Sequence, residues 1–439
     1  MNDGWYETTV SEIVSPEKYS CVGGPFGSNL TRKDYVVRGV PVSRGSNLDI
    51  SSQRFIDDDF VYVSEKKANK LIQNTAYPGD LIFTQRGTIG QVAIIPNDAK
   101  YPRYILSQNQ MKLTPNPAKA DTRFLYYLFV SPRSQELIQR GSIGSTIPGF
   151  NLTQLRAFPL LIPPLDEQRA IAEILGSLDD KIEANRRMND TLEATARAIF
   201  KSWFVDFDPV HAKANGDNPT GMDAETAALF PDSFEDSELG LIPSGWRVLA
   251  VSEFLKINPS RTLKKNVVAP YLSMSNVPTF SMRPDTWEYR EFSSGTRFTN
   301  GDVLMARITP SLENGKTVYV DFLNQDEVGW GSTEYIVLRS PHGYPSEYAY
   351  FIVRDPTFRD YAIANMTGTS GRQRVPTDCL DHYLIVVPPQ SVATLWGNVV
   401  ETMSHQMKLL TEQITTLAET RDALLPKLVS GELRIGEMK

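Results

Sequence analysis

The sequence is poor in cysteine and contains no long hydrophobic run. Its 439 residues include two cysteines, Cys21 and Cys379, so no disulfide framework is expected and the thiols fit a reducing cytoplasm. The apolar segment at 124–130 is far shorter than the roughly 18 residues that a membrane-spanning helix needs. The N-terminus has neither the basic nor the apolar part of a secretory signal. We therefore expect a cytoplasmic protein with no membrane contact.

Motifs of catalysis and metal binding are also missing. The four histidines and two cysteines show no metal-ligand spacing, so no metal site is expected. No phosphate-binding loop of a nucleotide hydrolase and no Asn-Pro-Pro-aromatic motif of an amino-methyltransferase is present. The glycine-rich segment at 22–30 neither follows a clear strand nor opens a helix. The chain is predicted to recognise a partner and to have no catalytic residues.

Negative charge is concentrated in one part of the chain. The net charge is −7, which alone would argue against nucleic-acid binding. However, residues 165–240 carry 7 Lys/Arg against 17 Asp/Glu, whereas residues 1–164 carry 18 against 14 and residues 241–389 carry 15 of each. Because binding depends on the local field, a basic face on either flanking block is compatible with this distribution.

The chain contains a divergent tandem duplication. Gly79-Asp80 corresponds to Gly301-Asp302 at an offset of 222, and Pro163-Pro164 corresponds to Pro388-Pro389 at an offset of 225. Each copy has short strands, such as 80–85 and 91–95 or 302–307 and 334–339, then an aromatic helix and a last strand before the two prolines. The predicted segments are 1–164 (copy one), a helix at 165–204, an acidic connector at 205–240, 241–389 (copy two), and a helix with a tail at 390–439.

Each proline pair precedes a long helix with a narrow heptad seam. The first seam comprises Ile171, Leu175, Leu178, Ile182, Asn185, Asn189, Leu192 and Ile199; the second includes Val399, Met403, Leu410, Ile414, Leu417 and Leu424. This pattern predicts that the two helices pair as an antiparallel coiled coil, in which buried asparagines would fix the register. The alternatives are that each helix lies on its own domain and that Asn185 and Asn189 face water.

Polar side chains that suit DNA recognition cluster in irregular segments of both copies. Arginine matches guanine and asparagine or glutamine matches adenine, whereas lysine in loops more often meets phosphate. The candidates in copy one are Arg32, Lys33, Arg44, Asn47, Gln85, Arg86, Gln108 and Asn109. Those in copy two are Arg261, Lys264, Lys265, Asn276, Arg307, Asn314, Lys316, Arg372, Gln373 and Arg374. Any single one is typical of a solvated surface, and their placement on equivalent loops supports the group.

The segments "PLLIPPLDEQRAIAEILGSLDDKIEANRRMNDTLEATARAIFKSWFVDFDPV" and "ALFPDSFEDSELGLIPSGW" closely resemble the specificity subunit of type I restriction–modification systems. The resemblance covers essentially the whole chain, although "PPQSVATLW" in the second copy lacks the "PPLDEQRAI" signature. It implies an α+β architecture of two tandem mixed α/β target recognition domains, separated by two long helices that form an antiparallel coiled coil with an internal pseudo-two-fold repeat.

The same resemblance implies a function and a set of partners. A non-catalytic subunit would recognise a bipartite, asymmetric site in double-stranded DNA and would bind two methyltransferase subunits and the restriction subunits, which translocate DNA. S-adenosylmethionine, ATP and Mg²⁺ would be bound by those partners, which methylate adenine and cleave DNA. The alternative is a duplicated protein-interaction scaffold that does not bind DNA. The target sequence, the spacer length and the surface for the methyltransferase subunits stay open.

Overall fold

The chain forms two compact units in the computed structural model, which describes residues 4–48, 54–141, 149–284 and 286–435. Unit 1 comprises Met1–Glu183 and Thr416–Lys439, and unit 2 comprises Ala184–Thr415. The predicted segments end at the ends of the two long helices, whereas the boundaries of the units lie within both helices. Each unit therefore contains one copy of the repeat and a part of each long helix.

Copy one contains eleven strands and five helices in its described residues. The strands are β1 (Tyr6–Thr9), β2 (Cys21–Gly23), β3 (Tyr35–Val36), β4 (Val40–Ser43), β5 (Val61–Val63), β6 (Thr75–Ala76), β7 (Leu81–Thr84), β8 (Val92–Ile94), β9 (Tyr104–Leu106), β10 (Gln110–Leu113) and β11 (Pro159–Ile162). The helices are α1 (Val10–Ile13), α2 (Glu65–Lys70), α3 (Thr122–Val130), α4 (Pro132–Gly141) and α5 (Leu152–Arg156). Short 3₁₀ helices span Gly27–Asn29, Arg32–Asp34, Gly45–Asn47 and Ile72–Asn74.

The first long helix and the connector follow copy one. The elements are α6 (Leu165–Phe204), α7 (Asp208–Ala214), α8 (Ala224–Ala228), β12 (Phe234–Ser237) and β13 (Gly240–Pro243). The sequence predicted a short helix at 222–230, and α8 confirms it. Aromatic contacts order this connector, since the rings of Trp203 and Phe230 meet edge to face with centroids 5.2 Å apart.

Copy two and the second long helix complete the chain. The strands are β14 (Arg247–Ala250), β15 (Lys256–Ile257), β16 (Val268–Leu272), β17 (Glu288–Glu291), β18 (Thr296–Phe298), β19 (Asp302–Ala306), β20 (Thr317–Tyr319), β21 (Gly329–Gly331), β22 (Tyr335–Arg339) and β23 (Leu384–Val387). The helices are α9 (Val251–Phe254), α10 (Tyr348–Arg354), α11 (Pro356–Ala364) and α12 (Gln390–Ser430), with 3₁₀ helices at Met274–Asn276 and Thr377–Asp381.

The sheets repeat between the copies. The β1–β11 ladder of copy one matches the β14–β23 ladder of copy two, and the sheet ordered β2-β10-β7-β8 matches β15-β22-β19-β20. A third sheet, ordered β3-β5-β4-β9-β6, matches β17-β16-β21-β18, and in each of these one pair is parallel (β4 with β9, β16 with β21). The internal repeat and the predicted strands are therefore confirmed.

An identical turn precedes β7 and β19. Gly79 and Gly301 both have a positive φ, of 89° and 85°, a conformation that L side chains rarely adopt. Each glycine N–H donates to the carbonyl of the residue that follows the second strand along the chain, Ile95 O after β8 and Val320 O after β20. These two glycines explain why this dipeptide is a strong landmark in both copies.

The first long helix starts where its sequence signature predicts. Pro163 and Pro164 precede Leu165, and a proline is tolerated at a helix start because its missing N–H would have no partner there. Gln168 is fully buried; its amide donates to Pro163 O at 2.8 Å and accepts from Asp121 N at 3.0 Å. In copy two the hydroxyl of Tyr344 donates to Pro388 O at 2.8 Å. Copy two lacks the "DEQ" residues of the signature. The carbonyl of Pro388, which is equivalent to that of Pro163, therefore accepts from a tyrosine hydroxyl and not from a glutamine amide.

The two long helices are antiparallel. Within unit 2, Asn185 Nδ2 lies 3.2 Å from Gln413 Oε1, and Asn189 Nδ2 lies 3.2 Å from Thr411 Oγ1, so numbers rise along α6 as they fall along α12. Asn185 is 9% exposed, which excludes the alternative that this side chain faces water. Asn189 is half-buried. The coiled-coil interpretation is confirmed.

Most predicted seam residues are buried or half-buried. Those buried are Ile171, Leu175, Ile182, Asn185, Leu410 and Ile414, and those half-buried are Leu178, Asn189, Leu192, Ile199, Met403, Leu417 and Leu424. Within unit 1, Ile171 and Leu175 share a core with Leu425 and Leu428 and with copy one. Within unit 2, Phe200 and Trp396 pack into the core of copy two, with ring centroids 5.4 Å apart.

Val399 is a wrong prediction, because its side chain is 38% exposed whereas Val400 is 1% exposed. From Trp396 the buried face of α12 continues four residues on at Val400, not three residues on at Val399. The reason is that this part of α12 packs into the core of copy two, where Val392 and Ala393 are also buried. Here the helix does lie on its own domain, as the alternative interpretation held.

Candidate nucleic-acid interface

The candidate loops of the two copies share one backbone scaffold. Gln85 N donates to Asn109 O at 2.6 Å, and Arg307 N donates to Glu334 O at 2.9 Å. The carbonyls of Gln85 and Arg307 in turn accept from Phe150 N and Val375 N, at 3.0 and 2.8 Å. Isolated bridges join Arg86 to Gly149 and Ile308 to Arg374. Arg86 is therefore equivalent to Ile308, Asn109 to Glu334, and Gly149 to Arg374.

Two further equivalences follow from the turns. Arg44 and Ser273 each precede a 3₁₀ turn, Gly45–Asn47 and Met274–Asn276. Gln110 N donates to Ser107 O, and Tyr335 N donates to Ser332 O, so Gln108 is equivalent to Thr333. Four scaffold positions consequently carry different side chains in the two copies. They are Arg44 and Ser273, Arg86 and Ile308, Gln108 and Thr333, and Asn109 and Glu334.

In copy one this scaffold surrounds a polar cleft of about 700 Å³. Five predicted residues line this copy-one cleft: Arg32, Arg44, Arg86, Gln108 and Asn109. Among the described residues, its lining contains three arginines and no carboxylate. A concave surface with only positive charge attracts an anionic partner, and its amide and guanidinium groups are the donors and acceptors that match base edges.

Hydrogen bonds hold the wall of the cleft in place. Gln108 Nε2 donates to Gly27 O at 2.6 Å and Leu30 O at 2.8 Å, so this side chain fixes the glycine-rich loop. Arg44 Nη2 donates to Asp59 O at 2.7 Å, and the guanidinium remains about one-third exposed. The segment 22–30 contains the end of β2 and the 3₁₀ helix Gly27–Asn29, and Leu30 at its end lines the cleft.

Gln91 and Lys316 are equivalent and support the 3₁₀ turn in their copies. Gln91 Nε2 donates to Leu48 O at 2.7 Å, and Lys316 Nζ donates to Met274 O at 2.6 Å. Burial lowers the pKa of the Lys316 ammonium below its usual value. Lys316 was predicted to contact DNA, but in this conformation it binds the protein backbone.

Three other predicted DNA-binding residues have structural partners. Asn47 is 1% exposed and donates to Ile56 O and Asp58 O, at 3.0 and 2.8 Å. Its equivalent, Asn276, donates to Thr286 O at 3.2 Å. Arg261 donates to Asp302 through Nη2 at 2.9 Å, and its Nε and Nη1 also have acceptors in the protein. We assign these side chains to the stability of the loops.

The remaining predicted residues lie on the surface or partly beneath it. Lys33, Lys264, Lys265, Asn314 and Arg372 are exposed, and Gln85, Arg307 and Gln373 are half-buried. None of these lines the copy-one cleft, and the lysines are suited to contact with phosphate.

Arg374 is exposed and held by an acid that the sequence interpretation missed. Its Nε lies 2.9 Å from Glu334 Oε2, and its Nη2 lies 2.6 Å from Glu334 Oε1. The hydrogen bonds from Arg374 keep the pKa of the Glu334 carboxyl below its usual value, so Glu334 is ionised at neutral pH. Glu334 begins the strand predicted at 334–339, and an acidic residue at that position was the available signal.

Comparisons with known proteins find similarity to type I restriction–modification specificity subunits. Residues 41–194 match the family model described as "Type I restriction modification DNA specificity domain". The chain is 25% identical over 403 residues to the type I restriction enzyme MjaIX specificity subunit of Methanocaldococcus jannaschii, covering 87% of this chain and 85% of that one. It is also 25% identical over 435 residues to the HindI specificity subunit of Haemophilus influenzae, covering 88% and 93%.

The chain is thus similar, over most of its length, to the family of type I restriction–modification specificity subunits. The crystal structure of the type I S subunit from M. genitalium shares the fold, with a TM-score of 0.52 at 14% identity over 97% of this chain and 96% of that one. The two tandem target recognition domains and the two long helices thus have the architecture of this family.

None of the helices in the described ranges is long and apolar enough to cross a membrane.

Proposed function

We propose that this specificity subunit recognises a bipartite, asymmetric site in double-stranded DNA, with one half-site bound by each copy. One observation carries the proposal: a shared hydrogen-bonded scaffold presents different side chains at four equivalent positions. A common scaffold gives both copies the same way of docking, and different side chains give each copy its own base preference. The recognised site is therefore expected to have two unlike halves.

The copy-one cleft provides the groups that base recognition needs. The guanidinium groups of Arg32 and Arg86 are exposed, and Asn109 presents an amide that can pair with adenine. Lys33, Lys264 and Lys265 are exposed and are assigned to phosphate contacts. In copy two, Arg372 and Arg374 are the exposed arginines on the equivalent loops.

The long helices are proposed to set the unread spacer between the half-sites. Within unit 2 the contacts of Asn185 with Gln413 and of Asn189 with Thr411 fix one register of α6 against α12. A buried polar pair costs stability but specifies register and orientation. A fixed register is what a spacer of constant length requires.

Partner subunits are proposed to supply the chemistry. Two methyltransferase subunits with S-adenosylmethionine would modify adenine, and restriction subunits with ATP and Mg²⁺ would translocate and cleave DNA. The assembly would act in the cytoplasm, where the buried thiols of Cys21 and Cys379 stay reduced. Burial raises the pKa of Cys379 to about 11, which keeps that thiol protonated and unreactive.

The test of this proposal is DNA binding by the chain co-expressed with its methyltransferase subunits. Binding should weaken as salt increases, because each phosphate contact releases counterions. Lys264→Ala should reduce the slope of log K against log salt by about 1, with equal effect on all sequences. Methylation sequencing should then show a split motif that disappears when the gene of this chain is deleted.

The competing hypothesis is a protein-interaction scaffold that does not touch DNA. It predicts that the methyltransferase subunits bind this chain, but that neither salt-sensitive DNA binding nor a split methylation motif depends on it. Where the structure describes the copy-one cleft, no carboxylate lines it, which favours a DNA partner over a protein surface that carries both acidic and basic groups.

A further inference from the structure

The guanidinium of Arg374 is fixed in one orientation. Its backbone N–H and carbonyl both pair with Thr367, at 2.8 and 2.9 Å, and a bridge joins it to Ile308. Glu334 accepts from the Nε edge of the guanidinium, through Nε and Nη2. The main chain and the side chain of Arg374 are thus both held in place before a partner binds. This removes much of the conformational entropy that Arg374 would otherwise lose on binding.

Two donors of this guanidinium still point away from Glu334. Nη2 carries two hydrogens and gives one to the carboxylate. Nη1 donates to Arg372 O at 3.3 Å and also keeps a second hydrogen. One hydrogen on Nη2 and one on Nη1 therefore remain available for a partner. The Arg374 side chain is 45% exposed. Two parallel donors in this geometry match two adjacent acceptors on one partner.

The internal repeat places this pair at the recognition surface of copy two. Glu334 is equivalent to Asn109, which lines the copy-one cleft, and Arg374 is equivalent to Gly149. Copy one therefore has neither the acid nor the arginine at these positions.

We propose that Arg374, positioned by Glu334, recognises a guanine in the half-site bound by copy two. This inference rests on the proposed function and assigns one base to one residue. Guanine presents O6 and N7 side by side in the major groove, and arginine is the side chain that can bond both. Lysine would keep the positive charge, but its ammonium group lacks the planar pair of parallel N–H donors that a guanidinium has. Glu334 acts as a positioning residue, because without its carboxylate the guanidinium could turn toward a phosphate.

The experiment uses the complex with methyltransferase subunits and long-read methylation sequencing of cells that express each variant. Arg374→Lys is the main variant, since it keeps the charge, and Arg374→Ala and Glu334→Gln accompany it. We expect one guanine·cytosine position in one half-site to become degenerate, with about a 10- to 100-fold loss of discrimination for Arg374→Lys. Glu334→Gln should relax the same position to a smaller extent, while all other positions and the spacer stay unchanged.

Arg290 provides the matched control. Its guanidinium also pairs with an acid of copy two, Glu288, at 2.7 Å, and half of each side chain is exposed. Arg290→Ala should leave the motif unchanged. A motif identical to wild type in Arg374→Lys, or loss of the whole motif in Arg374→Lys while the complex still assembles, would overturn the inference. Failure of the proposed function is distinct, because then the wild-type chain itself would direct no split motif.

Discussion

Arg421 and Asp179 form a buried ion pair within unit 1. Arg421 Nη1 lies 2.8 Å from Asp179 Oδ1, and the side chains are 15% and 7% exposed. The hydroxyl of Tyr127 donates to the other oxygen of Asp179 at 2.6 Å. Asp179 thus links α3, α6 and α12, and the pair explains why an arginine occupies a seam position of the second long helix.

Removal of the acid should destabilise unit 1 strongly. Asp179→Ala leaves the guanidinium of Arg421 buried without its counterion, which costs about 3–5 kcal/mol of unfolding free energy. Chemical denaturation of the purified chain measures this. The Asp179→Ala, Arg421→Ala and double variants form a cycle in which the double variant should lose less than the sum of the two. A loss below about 1 kcal/mol in Asp179→Ala would show that the pair contributes little.

Asn189 should be replaceable with a gain in stability. Its Oδ1 is buried and has no hydrogen-bond partner among the described residues, although its Nδ2 reaches Thr411. Asn189→Leu removes this unsatisfied acceptor and should raise the unfolding free energy by about 1 kcal/mol. Thermal denaturation gives the comparison, with Met188→Ala as the control at a neighbouring exposed position. A lower midpoint for Asn189→Leu would mean that the asparagine stabilises the helix pair.

Lengthening the helix pair should lengthen the spacer. Four residues inserted after Thr191 in α6 and four after Leu409 in α12 add about one turn, roughly 6 Å, to each helix. At ~3.4 Å per base pair this corresponds to about two additional unread base pairs. Methylation sequencing should show both half-sites unchanged. Altered half-sites with an unaltered spacer would contradict the role of the helices in spacing.

Acid should weaken the contact between Asp34 and Lys67. Lys67 Nζ lies 2.8 Å from Asp34 Oδ1, and the hydrogen bond from Lys67 lowers the pKa of Asp34 to about 2. Because the folded-state pKa is below the unfolded value of 3.8, the contribution to stability is present above pH 4 and is lost as the pH falls toward 2. Asp34→Asn should therefore be less stable than wild type at pH 6, and the difference should shrink at pH 3. A difference that does not depend on pH would contradict this account.

The secondary structure could be predicted well where backbone rules dominate. Pro163-Pro164 and the heptad pattern gave α6 its bounds, because a proline pair excludes continuation of the preceding strand and the apolar spacing is local. Val399 was wrongly assigned to the seam and Val400 was missed, because the seam shifts by one residue where α12 enters the core of copy two. That shift depends on the packing of Trp396 against the rings of Phe200 and Phe351, which are distant from it in sequence.

The candidate site was predicted less completely. Residue type alone suggested Asn47, Asn276, Arg261 and Lys316 as DNA contacts, but each has a partner in the folded chain. Those partners, such as Ile56 O and Asp302, are set by tertiary contacts that spacing does not reveal. Conversely, Thr31, Tyr35, Ser46 and Thr88 line the copy-one cleft beside predicted residues. Adjacency to the candidate loops was the only signal for them.

The most direct test of the account is to give copy one the side chains of copy two at equivalent positions. In Arg86→Ile/Asn109→Glu the hydrogen bonds of Arg44 and Gln108 that hold the cleft wall are kept, and two of the four differing positions are exchanged. Long-read methylation sequencing of cells that express this variant with the methyltransferase subunits is the measurement. The account predicts that one half-site changes while the other half-site and the spacer remain as in wild type. Changes in both half-sites, or an unchanged motif, would contradict recognition of separate half-sites by the two copies.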